Sequence, residues 1–326
     1  MGEFDLIECY FKRPQSLKST SGVALGIGDD CALVVPRPNT QMAISSDMLV
    51  EGRHFLSTVS PELLGHKALA VNLSDLAACG AKPLGFTLAL ALPEANADWL
   101  QGFSRGLFAL ADQHQISLVG GDTTRGPLNI CITVFGEVPV VDGQSQAHLR
   151  SGARVGDDVW VSGTLGGARL ALEVFRGNLS VNADIFRQAR VRMEQPTPRV
   201  ALGLALRGIA SAAIDVSDGL LGDLSHILKA SQVGASIHTA LALTLFDAGK
   251  AVTGQQALHF VLSGGDDYEL AFTAPAAQCD AVQRAGQISE TPVTRIGQIT
   301  AATSLQLLDG EGVVVENTSA SFDHFR

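Results

Sequence analysis

Residues 116–126 read Ile-Ser-Leu-Val-Gly-Gly-Asp-Thr-Thr-Arg-Gly, an apolar run followed by two glycines and an aspartate. The apolar run predicts a strand over residues 116–119 that stops at Gly120-Gly121-Asp122, because glycine weakens a strand and aspartate favours turns. Similar short apolar runs alternate with helical segments on both sides of this stretch. The alternation predicts an α/β (α+β) fold.

The first half of the chain carries the clearest signals for individual elements. Ser60-Pro61 predicts the start of a helix, since serine caps a helix and proline fits its first turn. We expect that helix to end near Cys79, because Gly80 is suited to the position after a helix. The other expected elements are the strand Gln41–Ser45, the strand Phe86–Leu92, the helix Asp98–His114 and the strand Asn129–Val134.

The chain turns polar and glycine-bearing between Val141 and Gly156, which predicts a domain boundary. We expect an N-terminal domain over residues 1–142, with a sheet packed by helices, and a C-terminal α+β domain over residues 150–326. The length of 326 residues agrees with two domains of about 100–200 residues each. Expected elements of the second half are the strand Asp158–Val161, a helix after residues 162–167, helices broken by Pro196 and Pro198 between Asp184 and Arg207, the strand Ala212–Val216, and a hairpin of Leu305–Leu308 with Val313–Val315.

The composition excludes several classes of function. The net charge is −10, which argues against binding to nucleic acid or to an anionic membrane surface. No apolar run approaches the length of about 18 residues that a membrane helix needs. Acidic residues stand where a signal peptide needs basic ones, and the five cysteines lack the grouping of a zinc or disulfide framework. We therefore expect a cytoplasmic protein.

Aspartate recurs at the predicted ends of strands. Asp47 follows two serines, Asp122 follows two glycines, and Asp29-Asp30, Asp215, Asp218 and Asp266-Asp267 stand in similar turns. One such aspartate is ordinary turn chemistry, but the recurrence indicates a shared function. If the carboxylates converge, they require cations, since two charges 4 Å apart repel by about 4 kcal/mol. Oxygen ligands without histidine pairs favour Mg²⁺, and hence a phosphate-rich substrate.

The usual motifs for binding nucleotide phosphates are absent from the sequence. No G-x-x-x-x-G-K-[ST] pattern occurs, and Gly26-Ile-Gly28 has Cys31 where a dinucleotide fingerprint needs its third glycine. No kinase catalytic loop or nucleophile elbow occurs either. Any nucleotide chemistry of this chain must use a different architecture.

Six motifs follow one another along almost the whole chain. They are Gly26-Ile-Gly-Asp-Asp-Cys-Ala32, Ser46-Asp-Met-Leu-Val-Glu-Gly-Arg-His-Phe55, Asn72-Leu-Ser-Asp-Leu-Ala-Ala-Cys-Gly-Ala-Lys-Pro83, Gly120-Gly-Asp-Thr-Thr-Arg-Gly126, Ala213-Ile-Asp-Val-Ser-Asp-Gly-Leu220 and Leu262-Ser-Gly-Gly-Asp-Asp-Tyr-Glu-Leu270. With these motifs the chain resembles the thiamine-monophosphate kinases of the aminoimidazole-ribonucleotide-synthetase-like superfamily. The resemblance implies that superfamily's two-domain fold, with ATP and Mg²⁺ bound by an N-terminal domain that forms a homodimer.

The resemblance also implies an activity and its residues. The activity is ATP-dependent phosphorylation of thiamine monophosphate to thiamine diphosphate, the last step of thiamine diphosphate biosynthesis, with ATP as co-substrate and several Mg²⁺ ions. The implied Mg²⁺ ligands, direct or through water, are Asp30, Ser45, Ser46, Asp47, Asp75, Asp122, Asp215 and Asp218. The implied ATP contacts are Gly121, Asp122, Arg150 and Ser217. The implied contacts to the thiamine substrate are His54, Asp266 and Phe322.

Two residues depart from the family pattern. Asp266 stands where the family carries glutamate, which shortens the reach of the carboxylate, and Ser46 stands where threonine is common, which keeps the hydroxyl. The implied reaction needs no general base, because a phosphate monoester has a second pKa near 6 and its oxygen is already ionised at pH 7. We therefore expect direct in-line transfer, with no covalent nucleophile, helped by metal ions and positioning.

Several alternatives stay open. Another ATP-using enzyme of the superfamily, acting on a purine precursor, selenide or a hydrogenase-maturation carrier, is disfavoured by residues 46–55 and by the lack of a suitably placed reactive cysteine. A non-catalytic sensor is weakened by the intact set of acids. Periodicity leaves open which way Asp75 points on its helix, and residues 162–167 are either a phosphate nest or a plain helix entry.

Overall fold

The computed structural model describes residues 2–13 and 22–316. The chain divides into two compact units. Met1–Leu76 and Ala81–Gln146 form the N-terminal unit, and Ala77–Gly80 and Ala147–Arg326 form the C-terminal unit.

The N-terminal unit is built around one mixed sheet. Its elements in chain order are α1 (Glu3–Leu6), a π-helical turn (Ile7–Phe11), β1 (Val23–Leu25), β2 (Leu33–Val34), β3 (Thr40–Val50), α2 (Pro61–Ala78), β4 (Lys82–Leu92), α3 (Ala97–Gln113), β5 (Ser117–Arg125), β6 (Asn129–Val141) and β7 (Gln144–Ser145). The sheet has the order β3-β6-β4-β5, with β7 beside β6 and with β4 and β5 parallel. Strands β1 and β2 pair separately.

The two faces of this sheet differ in burial. Phe86, Ile132 and their neighbours on one face are almost completely buried, and helix α2 reaches this face through hydrogen bonds to β3. On the other face, Ile44 and Met48 of β3 are 62% and 53% exposed. The sheet is therefore packed by helices on one side, as the sequence predicted.

The strands of this unit are longer than predicted. Strand β3 continues to Val50 and β5 continues to Arg125, so the expectation that Asp47 and Asp122 follow strand ends is wrong. Asp47 pairs with Ile132, and Asp122 pairs with Ala89, inside the ladders. Polar residues persist within these strands because both are edge strands, and exposed edges tolerate polar side chains.

The C-terminal unit contains a seven-stranded sheet and most of the helices. Its elements are β8 (Asp157–Ser162), α4 (Gly167–Phe175), α5 (Ala183–Glu194), α6 (Val200–Ala205), β9 (Ala212–Val216), α7 (Leu220–Ser231), β10 (Gly234–His238), α8 (Thr239–Leu243), α9 (Gly254–Ser263), β11 (Glu269–Pro275), α10 (Cys279–Ile288), β12 (Val293–Thr300), β13 (Leu305–Leu308) and β14 (Val314–Val315). The strand order is β14-β13-β10-β12-β8-β11-β9, with only β10 and β13 parallel among the described pairs.

Several predicted elements are confirmed. Helix α2 begins at Pro61, and Gly80 beyond its end has φ +64°. Strand β9 has the predicted bounds, the prolines separate α5 from α6, and β13 pairs with β14 antiparallel. Among the residues that the structure describes, no helix has the length and apolar character needed to cross a membrane.

Candidate active site

A cavity of about 570 Å³ opens beside strands β4 and β5 of the N-terminal unit. Carboxylates of Asp29, Asp30 and Asp122 line it together with Gly121. The lining also contains the apolar side chains of Ile7, Phe11, Ile27, Leu88 and Leu118, and the charged pair Glu8 and Lys12. Its volume lies within the range of small-molecule sites. The structure therefore brings together Asp30, Gly121 and Asp122, which the sequence analysis assigned to Mg²⁺ and ATP.

Two glycines of this cavity, Gly28 and Gly121, are required by backbone geometry. Gly121 has φ +149°, and a Cβ atom at this position would stand 1.9 Å from the carbonyl oxygen of Leu88. A register shift between β4 and β5 occurs just before this point. Gly28, which also lines the cavity, has φ +133°, and the N–H of Asp30 donates to Oδ1 of Asp29 at 2.9 Å. The carboxylates of Asp29 and Asp30 at this turn, and that of Asp122 within strand β5, are exposed.

A second polar group lies between strand β3 and helix α2. The hydroxyl of Ser45 donates to Oδ2 of Asp75 at 2.5 Å. The N–H of Asp47 donates to Oδ1 of buried Asn72 at 3.0 Å, and the Asn72 amide donates to the carbonyl of Ala68. Asp75 thus points toward β3, which settles the orientation that periodicity left open.

Ser46 lies on the opposite face of the sheet from Ser45 and Asp47. Its hydroxyl is 3.0 Å from Oγ1 of Thr133 and 3.5 Å from Sγ of Cys131, and it donates to the carbonyl of Ile132. The structure therefore separates Ser46 from its two neighbours in sequence, as alternation along a strand requires.

The predicted Mg²⁺ ligands of the N-terminal unit fall into separate groups. Strands β3 and β5 stand at opposite ends of the order β3-β6-β4-β5, so Asp47 and Asp122 are separated by three strand spacings, about 14 Å. In the register across the four strands, Asp47 is aligned with Gly121. Asp122 is aligned with Met48, one residue further along β3. Within the described residues, no three His, Cys, Asp or Glu side chains are grouped to hold one ion.

His54 is held just after strand β3. Its Nδ1 accepts a hydrogen bond from the N–H of Val50 at 3.0 Å, and its carbonyl accepts one from Nζ of Lys67 at 3.1 Å. Lys67 is almost completely buried. Because Nδ1 is an acceptor, the proton of the neutral ring belongs on Nε2.

In the C-terminal unit, the turn after β9 lies against the loop before β11. The N–H of Asp266 donates to the carbonyl of Ser217 at 2.8 Å, and the N–H of Tyr268 donates to that of Val216 at 2.9 Å. Asp266 has φ +72°, a region that aspartate enters more readily than most residues. The structure therefore brings together four predicted site residues, Asp215, Ser217, Asp218 and Asp266.

Two buried aspartates that the sequence analysis did not assign hold this region. Oδ2 of Asp223 accepts the N–H groups of Ser217 and Asp218 at 3.0 Å and of Gly219 at 3.1 Å. Burial raises the pKa of Asp223 to about 7, although these bonds favour its ionised form. An acid in the first turn of α7 is the signal that could have identified it.

Asp267 plays a similar part at helix α4. Its Oδ2 accepts the N–H of Gly166 at 2.8 Å and its Oδ1 accepts that of Ala168 at 3.4 Å. Burial raises the pKa of Asp267 to about 7. The backbone donors at the start of α4 are thus occupied by a carboxylate of the same chain, which favours a helix entry over a phosphate nest for residues 162–167.

Glu269 is the most enclosed charged group of this unit. Its carboxylate is completely buried and accepts two hydrogen bonds from Arg199 at 2.6 Å, one from Arg192 at 2.8 Å and one from Ser162 at 2.6 Å. The ion pairs fix the start of strand β11, directly after the loop that carries Asp266.

Comparisons with known proteins show which family the chain belongs to. The model "AIR synthase related protein, N-terminal domain" matches residues 28–138, and "AIR synthase related protein, C-terminal domain" matches residues 154–310. A thiamine-monophosphate kinase of Escherichia coli K12 is 46% identical over 332 residues, which cover 99% of this chain and 98% of that protein. The chain belongs to the thiamine-monophosphate kinase family. It is therefore an enzyme of the phosphotransferase class, with the two-domain AIR-synthase-related fold.

Solved structures of the family agree with this membership. The thiamine-monophosphate kinase from Stenotrophomonas maltophilia K279a has a TM-score of 0.81 at 45% identity, covering 91% of this chain and 93% of that one. AaThiL complexed with AMPPCP and TMP has a TM-score of 0.72 at 26% identity, covering 88% of this chain and 89% of that one.

Two residues that the family resemblance assigns are not placed at these groups. Arg150 is exposed, and its carbonyl accepts a hydrogen bond from Ser231 at the C-terminal end of α7. Ser217 precedes the N-terminal end of that helix. A 12-residue helix is about 18 Å long, so the backbones of Arg150 and Ser217 lie at opposite ends of α7. Phe322 lies outside the described residues.

Proposed function

We propose that this chain transfers the γ-phosphoryl group of ATP to thiamine monophosphate, giving thiamine diphosphate and ADP as the last step of thiamine diphosphate biosynthesis. The observation that carries the proposal is the cavity lined by Asp30, Gly121 and Asp122, in a chain related over its full length to thiamine-monophosphate kinases. The complex of AaThiL with AMPPCP and TMP supports the choice of substrates. Because ATP is the donor, we place the activity in the cytoplasm.

The lining of the cavity offers both an apolar surface for a base and a glycine backbone for phosphates. Ile7, Ile27 and Leu118 offer an apolar surface to the base, and the glycine backbone at residues 120–121 allows a close approach of the phosphates. Asp30 and Asp122 stand on the same cavity, where their charge would repel the triphosphate unless cations intervened.

The oxygen donors of both groups fit Mg²⁺, which prefers carboxylate and hydroxyl oxygens. Asp30 and Asp122 would hold ions in the cavity, and Ser45, Asp47 and Asp75 would hold them between β3 and α2. The family resemblance also assigns Asp215, Asp218 and the hydroxyl of Ser46 to Mg²⁺. When bound, Mg²⁺ would neutralise charge on the phosphates.

The thiamine phosphate is assigned to His54 and Asp266, with Phe322 as a further contact from the family resemblance. The bond from Val50 fixes the His54 ring and its tautomer, so Nε2–H is the donor that this ring presents to a substrate. The strained backbone at Asp266 is held by the bond to Ser217. Ser217, together with Gly121 and Arg150, is assigned to ATP.

We propose direct in-line transfer without a covalent intermediate. The attacking phosphate oxygen is ionised at neutral pH, since its second pKa is near 6, and the residues of the chain only bind and orient the two phosphates. Incubation with ATP labelled at the γ-phosphate should leave no label on denatured, washed protein. Stoichiometric label on the protein would contradict direct transfer.

We propose a homodimer formed through the exposed face of the N-terminal sheet. Ile44 and Met48 of β3 are 62% and 53% exposed there, and apolar side chains at this exposure favour burial in an interface. Light scattering should give twice the chain mass of 34.1 kDa, and Ile44→Lys should shift the mass toward one chain. A monomeric wild-type protein would contradict the dimer.

An ADP-release assay tests the activity most simply. MgATP is combined with thiamine monophosphate, with thiamine, or with no acceptor, and the product is identified by mass. We expect thiamine diphosphate from the monophosphate, and only when Mg²⁺ is present. Tight MgATP binding with no turnover would contradict the kinase and favour a nucleotide sensor.

A further inference from the structure

The turn that carries Ser217 and Asp218 is held by a single carboxylate. Oδ2 of Asp223 accepts three consecutive backbone N–H groups, from Ser217 and Asp218 at 3.0 Å and from Gly219 at 3.1 Å. Asp223 is only 4% exposed, so water competes little for these bonds. Charged acceptors form stronger hydrogen bonds than neutral ones, and a carboxylate at a helix N-terminus is further favoured by the helix dipole.

The other side of the same turn is closed by the loop before β11. The carbonyl of Ser217 accepts the N–H of Asp266 at 2.8 Å. A Cβ atom on Gly265 would stand 2.4 Å from that carbonyl oxygen, and one on Gly219 would stand 2.9 Å from the carbonyl carbon of Ser263. The turn is thus fixed by Asp223 on its donor side and by residues 263–266 on its acceptor side.

This arrangement decides which atoms of the turn can bind a ligand. The three N–H groups of Ser217–Gly219 already donate to Asp223, so they do not form an anion site at the start of α7, although helix N-termini often bind phosphate. The turn can instead offer the side chains of Ser217 and Asp218 to a nucleotide or a metal. Their directions depend on the backbone that Asp223 holds.

We propose that Asp223 is a positioning residue of the phosphotransferase site, which fixes the backbone of residues 217–219 so that the side chains of Ser217 and Asp218 keep one orientation toward the nucleotide and its Mg²⁺. The inference rests on the proposed function for its ligands. Asp223 acts only through this backbone and forms no bond to substrate.

Hydrogen exchange of the metal-free, nucleotide-free protein measures the positioning directly. In Asp223→Ala, the amides of residues 217–219 should exchange about 10-fold faster or more, because they lose a buried acceptor. Asp223→Asn keeps an oxygen of the same shape but loses its charge, so an increase of about threefold is expected.

Kinetics of the same variants separate positioning from a general loss of structure. Asp223→Ala should lower kcat about 10-fold and raise the Mg²⁺ concentration for half-maximal rate about threefold, with a smaller change in the KM for thiamine monophosphate. For Asp223→Asn, kcat and the Mg²⁺ concentration for half-maximal rate should lie between the values of Asp223→Ala and wild type. If Asp223→Ala does not fold, Asp223→Asn decides the question alone.

Asp157 provides the matched control in the same unit. It is also 4% exposed, and its Oδ2 accepts the N–H of Arg154 at 2.9 Å and the hydroxyl of Ser211 at 2.6 Å. Asp157→Asn should lower the Tm while leaving the exchange of residues 217–219, kcat and the Mg²⁺ dependence within about twofold of wild type.

Three outcomes would overturn the positioning role. These are a folded Asp223→Ala protein with wild-type exchange and kcat, an Asp223→Asn protein identical to wild type in both, and an Asp157→Asn protein with the same kinetic defect. Failure of wild type to use thiamine monophosphate would instead contradict the proposed function, while the exchange result would still report on the turn.

Discussion

Three acidic residues of the N-terminal unit and two of the C-terminal unit lie in opposite environments. In the N-terminal unit, Asp29, Asp30 and Asp122 are exposed and line a cavity. In the C-terminal unit, Asp223 and Glu269 are buried, and their oxygens accept hydrogen bonds from backbone N–H groups or arginines. A carboxylate surrounded by donors of its own chain stabilises a fold, whereas an exposed one in a cavity can bind a cation.

The comparison also shows why aspartates in similar sequence settings differ in role. Asp266 and Asp267 are neighbours, yet Asp267 is 1% exposed and bonded to the start of α4, whereas Asp266 stays partly exposed at φ +72°. The first residue of the pair is available to a substrate and the second holds the loop. Substitutions should therefore separate stability from activity.

The largest effect is expected from Glu269→Gln. Removing this charge leaves Arg192 and Arg199, both mostly buried, without their shared partner. Breaking a buried ion pair by removing one partner costs about 3–5 kcal/mol. Denaturant unfolding should show this loss, and exposed Glu290→Gln in the same unit should change the free energy of unfolding by less than about 0.5 kcal/mol. A Glu269→Gln protein as stable as wild type would contradict the claim that this buried carboxylate stabilises the fold.

Asp122→Asn should instead act on the reaction. Asp122 lines the cavity from strand β5, and loss of a charged group that holds phosphate-bound metal should lower kcat about 100-fold. Steady-state kinetics with saturating ATP and thiamine monophosphate measure this. Asp142→Asn, an exposed aspartate of the same unit outside the cavity, should retain wild-type kcat; an equal defect in both variants would contradict the assignment.

His114 makes the stability of the fold depend on pH, with a sign opposite to that of the buried carboxylates. Burial, with a smaller contribution from nearby His66, lowers the pKa of His114 to about 4. Below about pH 6.5 the unfolded chain binds a proton that the folded ring does not, so stability falls as the pH drops from 6.5 to 4, by up to about 3 kcal/mol. The buried carboxylates Asp223 and Asp267, with raised pKa, have the opposite sign.

Unfolding curves at pH 7, 6, 5 and 4 check this prediction. His114→Gln should remove this part of the acid sensitivity, whereas the exposed His226→Gln should keep the wild-type pH dependence. If the stability of His114→Gln had the same pH dependence as wild type, His114 would not be the source of the acid sensitivity.

The smallest effect is expected from His54→Ala. Loss of one hydrogen bond to the substrate should raise the KM for thiamine monophosphate about fivefold, with kcat little changed. His226→Ala, on the exposed side of α7, serves as the control. An unchanged KM in His54→Ala would remove His54 from the substrate site.

The sequence predicted the elements better than it predicted their ends. Helix α2 and strand β9 follow from capping residues and apolar runs, which are local signals. The ends of β3 and β5 were missed because an edge strand keeps its ladder through polar residues such as Asp47 and Asp122, and that depends on the neighbouring strand.

The candidate site was predictable as a set of residues but not as an arrangement. Motif order assigned Asp30 and Asp122, which do share a cavity. It missed that Ser46 points away from Ser45 and Asp47, because the predicted strand ended at Ser45 and alternation was not carried past it. It could not show that Asp47 and Asp122 lie three strands apart, because that requires the sheet order. Asp223 was missed because its role depends on the turn that it caps.

Thermal unfolding of wild type and Asp122→Asn, each in EDTA and in excess Mg²⁺, tests most directly whether the exposed acids are ligand sites. Removing one of several repelling charges should leave Asp122→Asn at least as stable as wild type in EDTA. Mg²⁺ should then raise the Tm of wild type more than that of the variant. A variant that is several degrees less stable in EDTA, with an unchanged Mg²⁺ shift, would show that Asp122 supports the fold and would contradict the account.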